Sequence, residues 1–353
     1  MSTMLFGLVA VTGALTTNAA LEPYLSVRTG LACQACHTNR TGGGNRSMFG
    51  NIWAQTQLPA RTGVVVPREI AEFLRVGFDL RTEAVGRFRA ATPRTAFNLD
   101  LAQAYIEARF LDRRLALYVD QTLGPERSFA REAFALLEGL PGDAYIKLGK
   151  FLLPYGWRLQ DDAEFVRERT GFSYFTPDQG VEVGFAPGRL QFAVALTNGA
   201  AGSAESDDGK QVTTQASVVL SHLRLGGSAS RLQGVGGRRD VVGGFGGVRL
   251  GPLVVLGELD LVRDVGATTT VEQVVGYAEV DWLVRRGLNA KVTYGYLDPN
   301  RSLAENQRVR MRFGLEAFPV AFIRLASFYT LLADIPQAVN DLDQVSLEVH
   351  IHF

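Results

Sequence analysis

The sequence predicts an all-β protein, a 16-stranded transmembrane antiparallel β-barrel that carries a small N-terminal segment. Three observations lead there. From Glu69 to the last residue, stretches of about ten residues alternate apolar and polar side chains, the period of a strand with one lipid face and one wet face. Short turns and longer polar connections succeed one another along the chain, as in an outer-membrane barrel with an even strand count. Composition supplies the third. Hydrophobic residues make up 46% and mean hydropathy is +0.05, yet beyond the extreme N-terminus no run is long enough to cross a bilayer as a helix. The apolar content argues against disorder. The balance of 36 basic and 36 acidic residues gives no basic excess with which to hold nucleic acid.

Taken in order, residues 1–20 read as a signal peptide. An apolar stretch from Leu5 to Leu15 precedes Thr16-Thr17-Asn18-Ala19-Ala20, and cleavage is expected near Ala20, implying export. Residues 21–60 contain both cysteines of the protein, in Cys33-Gln34-Ala35-Cys36-His37. A C-x-x-C-H spacing attaches a c-type haem: each thiol forms a thioether to a vinyl group, and His37 becomes the proximal axial ligand of the iron. Zinc would require further N or S ligands at short spacing, and none follows. A thioredoxin-like redox pair would require a βαβ context that is absent. The expected cofactor is therefore one covalent haem c. The run Gly42-Gly43-Gly44 reads either as a tight turn at the haem edge or as a flexible loop. A segment this short needs a cofactor or a staple to fold. Residues 61–69, including Val64-Val65-Val66-Pro67, read as a linker.

The barrel is expected over residues 70–353. In the last strand Val345, Leu347, Val349, Ile351 and Phe353 share one face, and Gln344, Ser346, Glu348, His350 and His352 the other. Arg308, Arg310, Arg312 and Glu316 alternate with Val309, Met311, Phe313 and Leu315 in the same way. So do Arg75, Asp79 and Arg81 with Leu74, Val76, Phe78 and Leu80. Tight turns are expected at 112–114, 141–143, 187–189, 222–223, 251–252, 285–287 and 319. Longer loops are expected near 82–97, 123–130, 153–177, 199–209, 233–239, 264–270, 298–306 and 332–341. That succession gives sixteen strands, with both barrel ends and the short turns on the periplasmic side. The terminal Phe353 resembles an outer-membrane assembly signal. The third long loop, Leu153 to Pro177, is rich in aromatic and charged residues; it reads either as a loop that resembles the inward constriction loop of porins or as an ordinary solvated surface loop.

Haem attachment directly ahead of such a barrel resembles the fused monohaem cytochrome c–porin family of outer-membrane electron-transfer proteins, the iron-oxidase type. The matching residues are Pro23-Tyr24-Leu25-Ser26-Val27-Arg28-Thr29-Gly30, followed by Cys33, Cys36 and His37, with Phe49-Gly50 after the haem site. Tyr145 to Phe151 is similar to strands of phosphate-selective porins. The resemblance implies an electron-transfer protein of the bacterial outer membrane, with Fe(II) oxidase activity toward an extracellular donor and a periplasmic c-type cytochrome as acceptor.

For one haem to serve across an apolar band about 25 Å tall, residues 21–60 are expected to plug the lumen from the periplasmic side. The distal ligand has three candidates. Met48 is the methionine inside the haem segment, and His350 and His352 face the lumen near the periplasmic end; an open five-coordinate iron is the fourth possibility. Met311 is excluded as lipid-facing, and His222 falls in a periplasmic turn. Arginine supplies 32 of the 36 basic residues. Arg308, Arg310 and Arg312 are read either as partners of haem propionates or as lumen charges paired across strands. Asp161, Asp162, Glu205, Asp207 and Asp208 are read as cation-attracting or as ordinary solvated loop residues. Two other functions remain open at this stage: a passive diffusion porin with a periplasmic haem segment, and electron export to an extracellular acceptor.

Overall fold

A computed structural model describes residues 22–88, 93–124, 128–335 and 341–353. The expected signal peptide and its cleavage near Ala20 lie outside the described residues. After a three-residue strand, β1 (Glu69–Ala71), come β2 (Leu74–Arg87), β3 (Arg94–Phe110), β4 (Leu115–Gly124), β5 (Phe129–Leu140) and β6 (Ala144–Phe151). Next are β7 (Asp178–Phe185), β8 (Leu190–Thr197), β9 (Lys210–Val219), β10 (Leu223–Gly234) and β11 (Gly237–Leu250). The last six are β12 (Leu253–Val265), β13 (Thr270–Arg285), β14 (Leu288–Asp298), β15 (Gln307–Ala317), β16 (Ile323–Ile335) and β17 (Leu342–His352).

Strands β2 to β17 each pair antiparallel with their sequence neighbours, and β17 returns to β2 from Gln344↔Arg87 to His352↔Asp79. Sixteen strands therefore close on themselves, and no edge is left to satisfy. Alternation sets the two surfaces. In β17 Val345, Leu347, Val349 and Ile351 point outward and exposed, while Gln344, Ser346, Glu348, His350 and His352 are buried inside. The same reversal holds in β15, with Arg310 and Arg312 inside and Phe313 and Leu315 outside. An exterior band of exposed Leu, Val, Ile and Phe around a charged interior is stable only when lipid covers the outside.

Two of the expected loops are corrected. Most of 82–97 is strand: β2 runs to Arg87 and β3 starts at Arg94, with pairs from Thr82↔Leu99 to Arg87↔Arg94. Polar composition there reflects the wet face of long strands, not a connection. The stretch 233–239 is also strand except at its tip, where Gly234 pairs with Gly237 across a two-residue hairpin. Its glycines supply the backbone freedom of a tight turn. The other expected long loops fall at or near strand ends, and the short turns lie together at the opposite mouth.

The lumen is filled from both ends. The N-terminal segment forms α1 (Pro23–Thr29), α2 (Cys33–Cys36) and α3 (Met48–Thr56). Pro23 opens α1, suited to a first turn that needs no N–H donor, and Gly30 closes it in the left-handed region at φ 69°. Side chains of this segment meet the inner wall. The Thr38 hydroxyl donates to Glu107 at 2.6 Å, the Asn39 amide to Glu132 at 2.7 Å, and the Asn289 amide to the Tyr24 hydroxyl at 3.0 Å. Arg40 pairs with Glu138 at 2.9 Å and with Asp143, in the β5–β6 turn, at 2.6 Å. The Ala60 amide donates to the Phe318 carbonyl at 2.8 Å beside the β15–β16 turn. The segment thus sits inside the barrel at its short-turn mouth.

From the other direction, residues 152–177 fold inward and include a single helical turn, α4 (Phe165–Glu168). Asp161 is held by Arg310 at 2.8 Å and by Arg312, and Glu164 by Arg310 and by the Thr293 hydroxyl at 3.2 Å. Tyr155 donates to Asp260 at 2.8 Å, and the Trp157 indole to the Gly257 carbonyl at 3.0 Å. The expectation of an inward third loop holds as geometry.

Candidate functional site

Between the N-terminal segment and the inward loop lies a cavity, partly open to solvent. Its position follows from local chain behaviour. Ala32 is extended, and the next four residues make one helical turn whose end is His37, its amide donating to the Cys33 carbonyl at 3.0 Å. One turn of helix places the two thiols three residues apart on neighbouring faces. Cys33, Cys36 and His37 all line the cavity. The cysteines are free thiols.

Helix α3 braces this turn. The Ser47 hydroxyl accepts from the Gly50 amide at 3.0 Å as an N-cap, and donates to the Ala35 carbonyl at 2.7 Å. The Ser47 amide donates to the Cys36 carbonyl at 2.9 Å. Gly50 lies so close that a Cβ there would stand 2.1 Å from the Cys36 carbonyl oxygen. The triple-glycine run is likewise a tight turn: all three residues have positive φ. A Cβ on Gly42 would meet Cys33 Sγ at 3.4 Å, and one on Gly44 would strike the Tyr118 hydroxyl of the wall at 2.2 Å.

His37 lies deep inside the protein, and its accessible surface belongs to the cavity that it lines. Burial, reinforced by the Arg46 charge, pushes its imidazolium down to about 3, so the ring is neutral at any physiological pH, the form that ligates metal. Its Nδ1 has no hydrogen-bond partner. Burial raises the Cys36 thiol, with Cys33 adding to the shift.

The distal candidates are placed differently from one another. Met48 is 55% exposed and absent from the cavity lining. At about 100° per residue on an α-helix, Met48 points away from the face on which Gly50, Trp53 and Ala54 border the cavity. His350 and His352, by contrast, line the cavity together with His37. Their rings are 4.9 Å apart. His350 Nε2 stands 2.5 Å from Asp79 Oδ1, while Nδ1 of His352 has no partner. His222 is exposed in the β9–β10 turn.

Arg308, Arg310 and Arg312 do face the lumen, but each already meets a carboxylate: Asp334 at 2.7 Å for Arg308, and Asp161 for the other two. Of the two readings of these arginines, the structure favours paired lumen charges over propionate partners. Asp161 is likewise a structural anchor, not a free loop acid. Sequence reading noted Arg158 and Trp157 only as residues of the third long loop and missed Arg224 and Arg324, all of which border the cavity. Nothing local marks Arg224 and Arg324, since each comes from a strand remote from Cys33 in sequence. Among the described residues no cluster of three or more His, Cys, Asp or Glu side chains forms a metal site.

No family model matches the chain, and no curated protein does. Solved structures do. The barrel is similar to the outer membrane protein OmpT of Vibrio cholerae, with a TM-score of 0.64 at 10% identity over 80% of this chain and 100% of that one. It is similar to the anion-selective porin from Comamonas acidovorans, TM-score 0.64 at 11% identity over 79% and 99%. The outer membrane channel DcaP of Acinetobacter baumannii gives 0.59 at 11% identity over 79% and 97%. At such identities the likeness is one of fold, and the fold is that of a 16-stranded porin-like outer-membrane barrel.

Proposed function

We propose that this outer-membrane barrel carries one covalent haem c in its lumen and passes electrons from an extracellular donor, Fe(II) among the candidates, to a periplasmic c-type cytochrome. The observation that carries the reading is the convergence of Cys33, Cys36 and His37 on one internal cavity walled by the barrel and roofed by the inward loop. Cys33 and Cys36 would form the thioethers, and His37 would ligate the iron. His352 or His350, from the strand that closes the barrel, would be available as a further iron ligand in preference to Met48. When bound, the haem supplies a one-electron couple in a position where the lipid and barrel otherwise insulate.

The chain's own residues do the rest. Leu25, Leu31, Trp53, Ala54, Leu58 and Phe318 give the cavity an apolar lining. Trp157 and Arg158 on the inward loop border it from the opposite side. On α3 the residues Met48, Phe49 and Ile52 are exposed near the short-turn mouth, an apolar face suited to the transient docking of an electron acceptor.

The test uses purified protein in liposomes with an acceptor trapped inside. Donor added outside should reduce that acceptor, and a Cys36→Ala variant should lose the activity. Equal rates in the two proteins overturn the proposal. The midpoint potential, measured on the same material, decides between electron uptake and electron export.

A further inference from the structure

Among the described residues, Arg158 and Arg224 at the cavity have no carboxylate within ion-pair distance, and each keeps a buried nitrogen without a partner. Arg224, on β10, is 5% exposed, and all its partners are neutral: Ser26 Oγ at 3.1 Å, Cys33 Sγ at 3.2 Å, Gln191 Oε1 at 3.1 Å and Ser217 Oγ at 3.5 Å. Its Nε has no partner at all. Arg158, on the inward loop, donates to Thr41 Oγ1 at 3.0 Å and to the carbonyls of Leu152 and Leu153, each at 3.3 Å. Its Nη1 is buried and unpartnered. Both residues line the cavity that holds Cys33, Cys36 and His37.

This departs from most of the lumen arginines. Arg324, which also borders the cavity, sits among Glu22, Glu316 and Glu348. Arg308, Arg310 and Arg312 are carboxylate-paired as described above, whereas Arg46, also at the cavity, makes no ion pair among the described residues and feels Asp79 only through its field. A buried cation without an anion is costly. The Trp157 ring, 5.2 Å from the Arg224 guanidinium, offsets only part of that cost. Guanidinium groups match carboxylates with paired N–H donors in one plane. Arg224 also donates to the sulfur of Cys33, so an anion it holds lies beside the attachment point.

We propose that Arg158 and Arg224 are the anchors for the two propionate carboxylates of the haem, one reaching from the inward loop and the other from the barrel wall. This assignment rests on the haem reading above. It gives the inward loop a second role, since Arg158 would tie the loop to the bound group and through Thr41 to the N-terminal segment.

The experiment is potentiometry on holoprotein, at about pH 8 so that carboxylates are ionised, with covalent haem per chain measured alongside from the pyridine haemochrome spectrum. The variants are Arg158→Gln, Arg224→Gln and, as a control that changes a lumen charge already paired elsewhere, Arg308→Gln. A cation near the iron disfavours its oxidised form. Loss of Arg158 or Arg224 should therefore lower the midpoint potential while the thioethers keep haem content at the wild-type level, and Arg308→Gln should leave both unchanged. Arg158→Lys and Arg224→Lys, which keep the charge, should restore most of the shift and stand in should a glutamine variant fail to assemble. Wild-type potential in both glutamine variants, with haem attached, overturns the assignment and leaves the haem reading standing. Wild-type protein without covalent haem overturns both.

Discussion

Gly50, Met48 and the terminal histidines show how much depends on single positions. A backbone as close as Gly50 is to Cys36 admits no side chain, so helix α3 can lie against the C-x-x-C turn only with glycine there. That register turns Met48 outward and leaves the face of Trp53 and Ala54 toward the cavity. The expected outcome is that Met48→Leu leaves the visible spectrum of the holoprotein unchanged, whereas His352→Leu alters it. A sulfur-to-iron band in the far red of wild-type protein, lost in Met48→Leu, would reverse the order of the candidates. The grouping of Cys33, Cys36 and His37 on one cavity was legible because C-x-x-C-H is a local motif at fixed spacing. The choice among distal ligands was not, because it depends on the rotation of α3 about its axis and on where strand β17 meets the segment. Neither is a property of neighbouring residues in the chain.

At the level of elements, the inward loop is held chiefly by charge. Asp161 satisfies two buried arginines at once, Arg310 and Arg312, and Arg310 also holds Glu164. Asp161→Asn removes the shared anion and leaves Arg312 without a carboxylate. Breaking a buried pair from one side costs about 3–5 kcal/mol, enough to undock the loop without unfolding a closed barrel whose strands are bonded around the ring. Limited proteolysis should then cut within 152–177 in the variant and not in wild type; equal protection in both would show that Tyr155, Trp157 and Glu164 hold the loop unaided. Strand number and the positions of most turns were legible, since period-two alternation and turn residues are local. The misread stretches, 82–97 and 233–239, fail for one reason. Beyond the lipid a strand's outer face no longer needs apolar residues, so composition stops distinguishing strand from loop. The inward course of residues 152–177 was suggested by their aromatic and acidic content, but their partners Arg310 and Arg312 lie some 150 positions away along the chain.

For the whole molecule the decisive fact is that the lumen is occupied twice. Sixteen strands ordinarily enclose an aqueous channel, and the similar structures include an anion-selective porin. Here the N-terminal segment fills the short-turn mouth with hydrogen bonds to β3, β5 and β14, and the inward loop is fixed to β12, β14 and β15 behind it. The Arg158–Thr41 bond joins the two fillings. Ions need a continuous hydrated path, whereas electrons do not, so the two candidate functions make opposite demands on this arrangement. A conduit works with the lumen closed; a diffusion porin fails with it closed. Reconstituted in a planar bilayer, the intact protein should pass only a small fraction of the current of an open 16-stranded porin under the same salt. Asp161→Asn should raise that current while leaving the N-terminal segment in place. Porin-sized conductance in wild-type protein would mean that the segment and loop leave the lumen in the membrane, and the passive-porin function would then displace the electron conduit.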